Sequence, residues 1–429
     1  MTKKVVVLGA GFGGLRAASL ISKKLKSLKL LNKYEVILVD KNEHQTYTPL
    51  LYEVATTSQE TANLCRLHEV ATYRIESLIK NTGVRFVQAE VLSMDPLEGD
   101  IHLNNGQELC ADFLVIALGS ETNYFGIPGL EENSLPLKTF RDAIMMRDAI
   151  RNLAESKGGP VKIVIGGGGP TGVELAGELK SWRRELEGQL KTECQLNILI
   201  VEAQPSILGG LHPKVISLAE KRLRKLGVEI MPGEKIVSAG KNEVALESGK
   251  KIAFDVLVWA GGIQSPRVLT KLPLHTEAHG KPVVGGGMEC LPQTPDLKLR
   301  SMVYGLGDGV CFYDSATGKP TPAVARAAIV QADVVAHNVI EEIKKQEAGS
   351  RKYEARITNY APREYPYIVP VGGKYAIAKI GSWIIPGFDG WVIKGLVELN
   401  YLLSIMPFWR AIRIWLRGLW IFIQNDRLG

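Results

Sequence analysis

The chain has 429 residues, 45% of them hydrophobic and 23% charged, which is enough for two or three domains and excludes a disordered or fibrous protein. Its 52 Lys and Arg against 45 Asp and Glu leave a formal charge of +7, which by itself does not discriminate among nucleic acid, an anionic membrane and anionic cofactors. Where that charge lies along the chain is the informative part.

At the N-terminus the apolar run Val5-Val6-Val7-Leu8 leads straight into Gly9-Ala10-Gly11-Phe12-Gly13-Gly14. This is the strand-turn-helix fingerprint of a dinucleotide site. Its first glycine permits a tight turn, its second lets backbone approach a pyrophosphate, and its third lets helix and strand pack closely over the helix N-terminus. A second strand, Glu35-Val36-Ile37-Leu38-Val39-Asp40, ends in an acid suited to a ribose diol. The whole pattern then recurs. Val161-Lys162-Ile163-Val164-Ile165 precedes Gly167-Gly168-Gly169-Pro170-Thr171-Gly172, and Asn197-Ile198-Leu199-Ile200-Val201 ends in Glu202. Charged, helix-forming insertions at 23–33 and 181–194 lengthen the two crossovers beyond the fingerprint's usual spacing.

Each copy is followed by a strand closed by small residues: Ala111-Asp112-Phe113-Leu114-Val115-Ile116-Ala117-Leu118-Gly119 in the first, Phe254-Asp255-Val256-Leu257-Val258-Trp259-Ala260-Gly261-Gly262 in the second. Small residues let a strand end press against a bound dinucleotide. The chain therefore reads as internally duplicated, an α/β protein with two Rossmann-like dinucleotide-binding domains. A further strand, Met302-Val303-Tyr304-Gly305, ends at Gly307-Asp308.

The cysteines, Cys65, Cys110, Cys194, Cys290 and Cys311, are scattered and form no C-x-x-C pair, which argues against a disulfide framework or a dithiol reductase. The histidines show no ligand spacing, so no metal site is expected. The first strand begins at once without a signal segment, and a reducing cytoplasmic setting is expected.

The tail differs in composition. Five of the seven tryptophans, Trp383, Trp391, Trp409, Trp415 and Trp420, follow residue 380. From residue 391 onward Lys394, Arg410, Arg413, Arg417 and Arg427 outnumber Glu398 and Asp426. At about 100° per residue, Arg410, Arg413 and Arg417 cluster on one side of a helix, opposite Trp409, Ile412, Leu416, Leu419, Trp420 and Ile423. Ile414 and Ile421 intrude on the basic side. Two helices, 390–406 and 408–424 with Pro407 between them, are expected to lie in a membrane interface rather than to cross it, since the uncharged run 399–409 is far short of the roughly 20 residues needed.

An N-terminal glycine fingerprint, a mid-chain second copy and a late Gly-Asp strand resemble the two-dinucleotide flavoprotein disulfide reductase superfamily. Within it, the strings Tyr47-Thr48-Pro49-Leu50-Leu51-Tyr52-Glu53-Val54-Ala55, Gly119 to Gly129 and Gly167 to Glu178 are similar to type II NADH:quinone oxidoreductases, a likeness that spans nearly the whole chain. That resemblance implies FAD at the first fingerprint, held by Gly9, Gly11 and Gly14, with Asp40 on its ribose and Asp308 farther along. It implies NADH at the second, where Glu202 takes the ribose and repels a 2′-phosphate. Thr48 is expected near the flavin ring and Glu174 near flavin and nicotinamide. The expected cofactor-binding set is completed by Phe12, Gly13, Lys41, Val91, Ala117, Gly119, Gly167, Gly169, Pro170, Thr171, Gly172, Gly262 and Ala325. Glu174, Gln331 and Lys394 are the catalytic candidates. The family's glutamines after the Gly-Asp strand are mostly replaced here, in Ala325-Arg326-Ala327-Ala328-Ile329-Val330-Gln331, where Gln331 alone remains.

The implied partners are a quinone, a membrane surface and a second copy of the chain as a homodimer, with no nucleic acid. The expected location is the cytoplasmic face of the cell membrane, in a respiratory chain. The expected division is 1–120 and 265–345 for FAD, 121–264 for NADH and 346–429 as a C-terminal membrane-associating helical region. A sulfide:quinone oxidoreductase, or a soluble NADH-dependent reductase with a protein or small-molecule acceptor, stands as the alternative.

Overall fold

In the computed structural model, which describes residues 2–190, 194–277, 280–294, 296, 302–349 and 353–425, the first apolar run is the strand Lys3–Leu8. It lies at the centre of a five-stranded parallel sheet ordered Met302–Gly305, Phe113–Ile116, Lys3–Leu8, Tyr34–Asp40, Val84–Gln88. Val5 faces Phe113 on one side and Val36 on the other. Both faces of the sheet are covered, which is why its strands read as unbroken aliphatic runs rather than alternating ones. The chain leaves Lys3–Leu8 for one side of the sheet and later returns to its other side. That reversal is the switch point where such sheets bind ligands, and Gly9 to Gly14 occupy it.

The helix Phe12–Ser27 packs against the helix Ala325–Ala348. Gly13 makes this possible, because a Cβ there would stand 3.0 Å from the Ala328 carbonyl oxygen. The Arg16 guanidinium closes the contact on Asp333 at 2.6 Å. An antiparallel group of three strands, Val91–Asp95, Asp100–Leu103 and Glu108–Cys110, belongs to the same unit, which comprises Met1–Gln45, Tyr73–Glu121 and Ile263–Tyr365.

The other unit comprises Thr46–Thr72, Thr122–Gly262 and Pro366–Gly429. Its parallel sheet runs Leu135–Pro136, Val256–Trp259, Val161–Gly166, Leu196–Glu202, Val228–Pro232, with Ile163 between Val256 and Ile198. The second glycine turn again follows the central strand. The long helix Pro170–Leu190 meets the hairpin of Tyr367–Pro370 and Ala376–Ile380, and Gly177 is the point of closest approach, where a Cβ would lie 2.6 Å from the Gly372 nitrogen.

The helices Phe388–Ile405 and Phe408–Asn425 follow, broken at Pro407 as the sequence implies. Trp415 ties them together by donating its indole N–H to the Gly395 carbonyl at 2.7 Å. Asp426 and Arg427 lie outside the described residues, as does 191–193 of the second lengthened crossover. The first lengthened crossover is helical only to Ser27, and residues 28–29 and 31–33 form turns. Against the expected division, residues 46–72 group with the second unit and 346–365 with the first.

Near the end of the helix Ala325–Ala348, the buried Glu341 carboxylate accepts from Lys344 at 2.7 Å, the Tyr353 hydroxyl at 2.6 Å and the Arg356 amide at 3.1 Å. Burial opposes its ionisation, but these donors hold the carboxyl down at about 2. Since folding depresses this group, its contribution is complete above the ordinary Glu value of 4.5 and fades as pH falls towards 2. Glu341→Gln is expected to cost about 1–3 kcal/mol at neutral pH in urea unfolding. The gap from the parent chain should narrow below the ordinary Glu value, and a gap independent of pH would refute the assignment.

Candidate functional site

The two glycine turns divide their labour in the same way. Gly9 has φ +99°, and a Cβ there would run into the Ala117 carbonyl; Gly167 has φ +109°, and a Cβ would stand 2.6 Å from Ala260. Cβ atoms on Gly14 and Gly172 would strike the carbonyls of Gly9 and Gly167. Folding alone therefore explains these four glycines. Gly11 and Gly169 are different, because a Cβ on either meets nothing within 4 Å. Both stand at the start of a helix, beside amides that the helix itself leaves unpaired, and the space over them has the form of a cradle into which a pyrophosphate would fit.

The acids after the second strands are anchored alike. Asp40 accepts the Ala10 amide at 2.7 Å through one oxygen and the Asn42 amide at 2.8 Å through the other. Glu202 accepts the Gly168 amide at 2.5 Å and the Gln204 amide at 2.7 Å. Each carboxylate is thus fixed at the lip of its own turn, where a ribose diol would meet it. Both sets of residues fit a dinucleotide.

The remaining expected residues of the first unit fall into two groups. Ala117 backs Gly9, Gly119 faces open space at φ +68°, and Asp308 accepts the Ser120 hydroxyl at 3.3 Å. Phe12 opens its helix, and Ala325 opens the helix that presents Gln331. Gln331 accepts the Gly307 amide at 2.8 Å, so its carbonyl is engaged in shaping the Asp308 turn. A cleft over Gly307 and Asp308 is lined by Lys281, Thr321, Ala328 and Gln331. Lys41 instead gives its ammonium to Glu90 at 3.3 Å on the surface, and Val91 is half-buried at the start of a strand. Arg326 is exposed.

In the second unit Pro170 and Thr171 start the helix above Gly167, and Gly262 accepts the Asn123 amide at 3.1 Å. Thr48 lies exposed on the helical turn Thr48–Leu50. Glu174 stands one turn into the cradle helix, and there this unit gathers an unusual set of charges. Lys394, from the helix Phe388–Ile405, forms a buried ion pair with Glu53 of the helical turn Leu51–Val54 and lies 5.5 Å over the Tyr52 ring. Burial works against the ammonium, yet Glu53, Glu398 and Glu178 hold its pKa above the ordinary lysine value. Burial also raises Glu53 although Lys394 opposes it. Glu174 is pushed up to about 8 by burial, with Lys394 opposing and Glu53 adding. A simple helix-dipole acid would show the opposite shift. Tyr47 and Tyr401 stack beside this group with ring centroids 5.1 Å apart.

Glu53 and Glu398 are not among the residues expected from the sequence. Their signal was present: each is a lone acid in an apolar stretch, Leu50 to Ala55 and Gly395 to Leu403, and Glu398 is four residues from Lys394. A charge in such a place is buried and paired, or it is protonated.

A chain with two such cradles and two parallel sheets has the design of a two-nucleotide oxidoreductase. Residues 3–332 match the family described as pyridine nucleotide-disulphide oxidoreductase, and the chain belongs to that family. The type II NADH:quinone oxidoreductase of Staphylococcus aureus (strain NCTC 8325 / PS 47) is 28% identical over 393 residues, spanning 89% of this chain and 93% of the relative. That of Mycobacterium tuberculosis is 28% identical over 423 residues, spanning 94% and 84%. The resemblance drawn from the sequence strings is thereby borne out. NDH2 from Plasmodium falciparum in complex with NADH shares the fold at a TM-score of 0.80 and 16% identity, over 99% of this chain and 98% of that one. A sulfide:quinone oxidoreductase from Aquifex aeolicus shares it at 0.72 and 19%, over 99% and 92%.

The open space over Gly11 generates a sharp expectation. Gly11 has φ −68°, so Gly11→Val fits the unliganded chain and should change its unfolding free energy by no more than about 0.5 kcal/mol. Retention of a dinucleotide through gel filtration should fall at least tenfold, about 1.4 kcal/mol. Full retention would show that the space over Gly11 is not the pyrophosphate seat.

Proposed function

We propose that this chain is a flavoprotein that oxidises NADH and reduces a membrane quinone, without moving protons across the membrane. FAD takes the Gly9 to Gly14 cradle, and NADH takes the one from Gly167 to Gly172. Bound FAD supplies a hydride acceptor and a two-electron donor. The protein's own residues hold, orient and protonate. Asp40 and Glu202 receive the ribose hydroxyls, and the Glu202 carboxylate disfavours a 2′-phosphate, so NADH is preferred over NADPH. Gln331 keeps the Asp308 turn in shape for the flavin's linking chain. Glu174, held protonated near neutral pH, and the Lys394 ammonium are proton donors for the acceptor.

One observation carries the acceptor reading. The helix Phe388–Ile405 buries Lys394 and Glu398 on one side and leaves Phe388, Val392, Leu396 and Leu403 exposed on the other. A proton-supplying face and a lipid-seeking face thus share one helix. The next helix repeats the exposure, with Trp409 at 80% and Leu416 at 51%. No helix among the described residues is long and apolar enough to cross a membrane, and an interfacial seat suits these short amphipathic elements. Arg410 and Arg413 flank that surface and favour anionic lipid, each by roughly 1 kcal/mol. The location that follows is peripheral, on the cytoplasmic face, in a respiratory chain. Two copies joined as a homodimer would double the anchor. A sulfide-oxidising reading fits the thiols poorly: burial pushes Cys290 and Cys311 up, away from the thiolate that such chemistry uses.

Anaerobic NADH is expected to bleach the flavin of the purified protein, and a soluble quinone to restore its colour within seconds. Bleaching without restoration would remove the quinone from this reading. For the membrane seat, Trp409→Asp combined with Leu416→Asp should lower co-sedimentation with anionic vesicles at least about tenfold, with turnover on a soluble quinone within about twofold of the parent. Unaltered sedimentation would defeat the interfacial assignment.

A further inference from the structure

This inference rests on the quinone reading and concerns where the protons come from. The overall reaction, NADH plus quinone plus one proton giving NAD⁺ plus quinol, leaves both quinol oxygens protonated although NADH delivers only a hydride. One proton must therefore wait close to the acceptor. Four carboxyls, Glu53, Glu174, Glu178 and Glu398, act on Lys394 or on one another, and Lys394 is the positive charge bearing on Glu53, Glu174 and Glu398. One ammonium neutralises one carboxylate, and Glu53 takes it as a direct ion pair.

Glu178 and Glu398 are the carboxyls to which the proposed reaction has so far given no role, and Glu398 is the one with an oxygen left without a donor among the described residues. It is 2% exposed, and its Oε1 has no hydrogen-bond partner among the described residues. On its own helix it faces Lys394 one turn earlier and stands near Tyr401. From the segment 46–72 it meets Glu53 and Tyr47, with Val70 beyond. From the helix Phe408–Asn425 it meets Gly418, where a Cβ would lie 3.4 Å from Oε1, while the neighbouring Arg417 is turned to Glu69 at 2.6 Å. From the helix Pro170–Leu190, Glu178 adds negative charge around the same lysine, and Glu174 feels that lysine from the same helix. A carboxylate buried without a donor is strongly disfavoured relative to the acid. Burial accordingly pushes Glu398 up to about 7, with Lys394 opposing.

We propose that Glu398 is a proton store that reloads Lys394 during reduction of the acceptor. The Lys394 ammonium gives a proton to the reduced acceptor, breaking N–H and forming O–H. The neutral amine then takes the carboxyl proton of Glu398, which leaves a carboxylate beside a restored ammonium until solvent returns a proton to it. The hydrogen that NADH delivers accounts for the proton on the other oxygen, so one round, drawing one proton from solvent, suffices for each turnover. Both electrons come from NADH through the flavin, and Glu398 is neither oxidised nor reduced. It acts through Lys394, as a supplying rather than a contacting group.

The test compares the flavin-loaded full chain with Glu398→Gln from about pH 5.5 to 8.5, timing flavin bleaching by NADH and recolouring by a short-chain benzoquinone. The parent should recolour more slowly as pH rises, with a midpoint near neutrality. In Glu398→Gln that midpoint near 7 should vanish, leaving only the titration of Glu174 near 8, and the ratio of recolouring to bleaching rate should fall about tenfold at the acid end. Infrared titration reads the store directly: the parent should show a protonated-carboxyl band that disappears through neutral pH and is missing in the variant. A retained midpoint, or a band unchanged by the substitution, overturns the proposal. If Glu398→Gln fails to keep its flavin, Glu398→Asp takes its place, and a midpoint and band identical to the parent's overturn it equally. If the parent itself is bleached but never recoloured, the quinone reading fails, whereas the infrared band still decides whether Glu398 holds a proton.

Discussion

The ion pair of Lys394 with Glu53 is the interaction on which the second unit's chemistry depends. It joins the helix Phe388–Ile405 to the short turn Leu51–Val54 and does so away from water. Such a pair contributes little net stability compared with a well-packed apolar alternative, but removing one partner strands a buried charge at about 3–5 kcal/mol. Its value here is one of organisation. A single cation set among several carboxyls decides which of them ionises, and geometry gives that to Glu53. Glu174 and Glu398, which lack an equal partner, are pushed towards the acid form. Site chemistry and tertiary packing are thus two results of one contact.

A comparable economy governs the glycine turns. In each unit the acid that would meet a ribose also accepts an amide of the turn itself, Ala10 for Asp40 and Gly168 for Glu202. The carboxylate is therefore held before any ligand arrives, and little ordering remains to be done on binding. Repetition of this device strengthens the argument from the fingerprint. A chance match of glycines would not bring the same acid-to-amide bond, the same positive φ at the first glycine and the same open space at the second. The two cradles were legible in the sequence because each rests on contiguous residues whose backbone demands are local.

The carboxyl group around Lys394 was only half legible. Glu174 stood out through the family strings and Lys394 as a catalytic candidate in the tail, while Glu53, although it lies in one of those strings, and Glu398 acquired meaning only when three separate stretches of chain met in space. Lone acids in apolar runs were the available sign. Gln331 shows the opposite limit: its identity suggested a place at the acceptor, but its carbonyl supports the Asp308 turn. Lys41 is a similar case. A lysine directly after the ribose acid suggested a cofactor contact, yet its ammonium pairs on the surface with Glu90, which the sheet brings alongside from the end of a neighbouring strand.

The helix Phe408–Asn425 explains why a two-sided description of the tail was incomplete. Ile414 and Ile421, which interrupt the basic side in the sequence, are buried with Ala411, and Gly418 lies between them against Val70. The helix has three sides: one packed on the protein, one basic and one apolar and exposed. Arg417, at the seam between the first two, turns along the surface to Glu69. A sequence moment averages the two apolar sides as if they were one, and so it places the basic stripe opposite a single broad face. Only the fold separates the apolar residues that hold the helix to its own protein from those left open to a surface outside it. The packed side carries Gly418 over Glu398, so the helix proposed to seat on the membrane is also the cover of the buried acid.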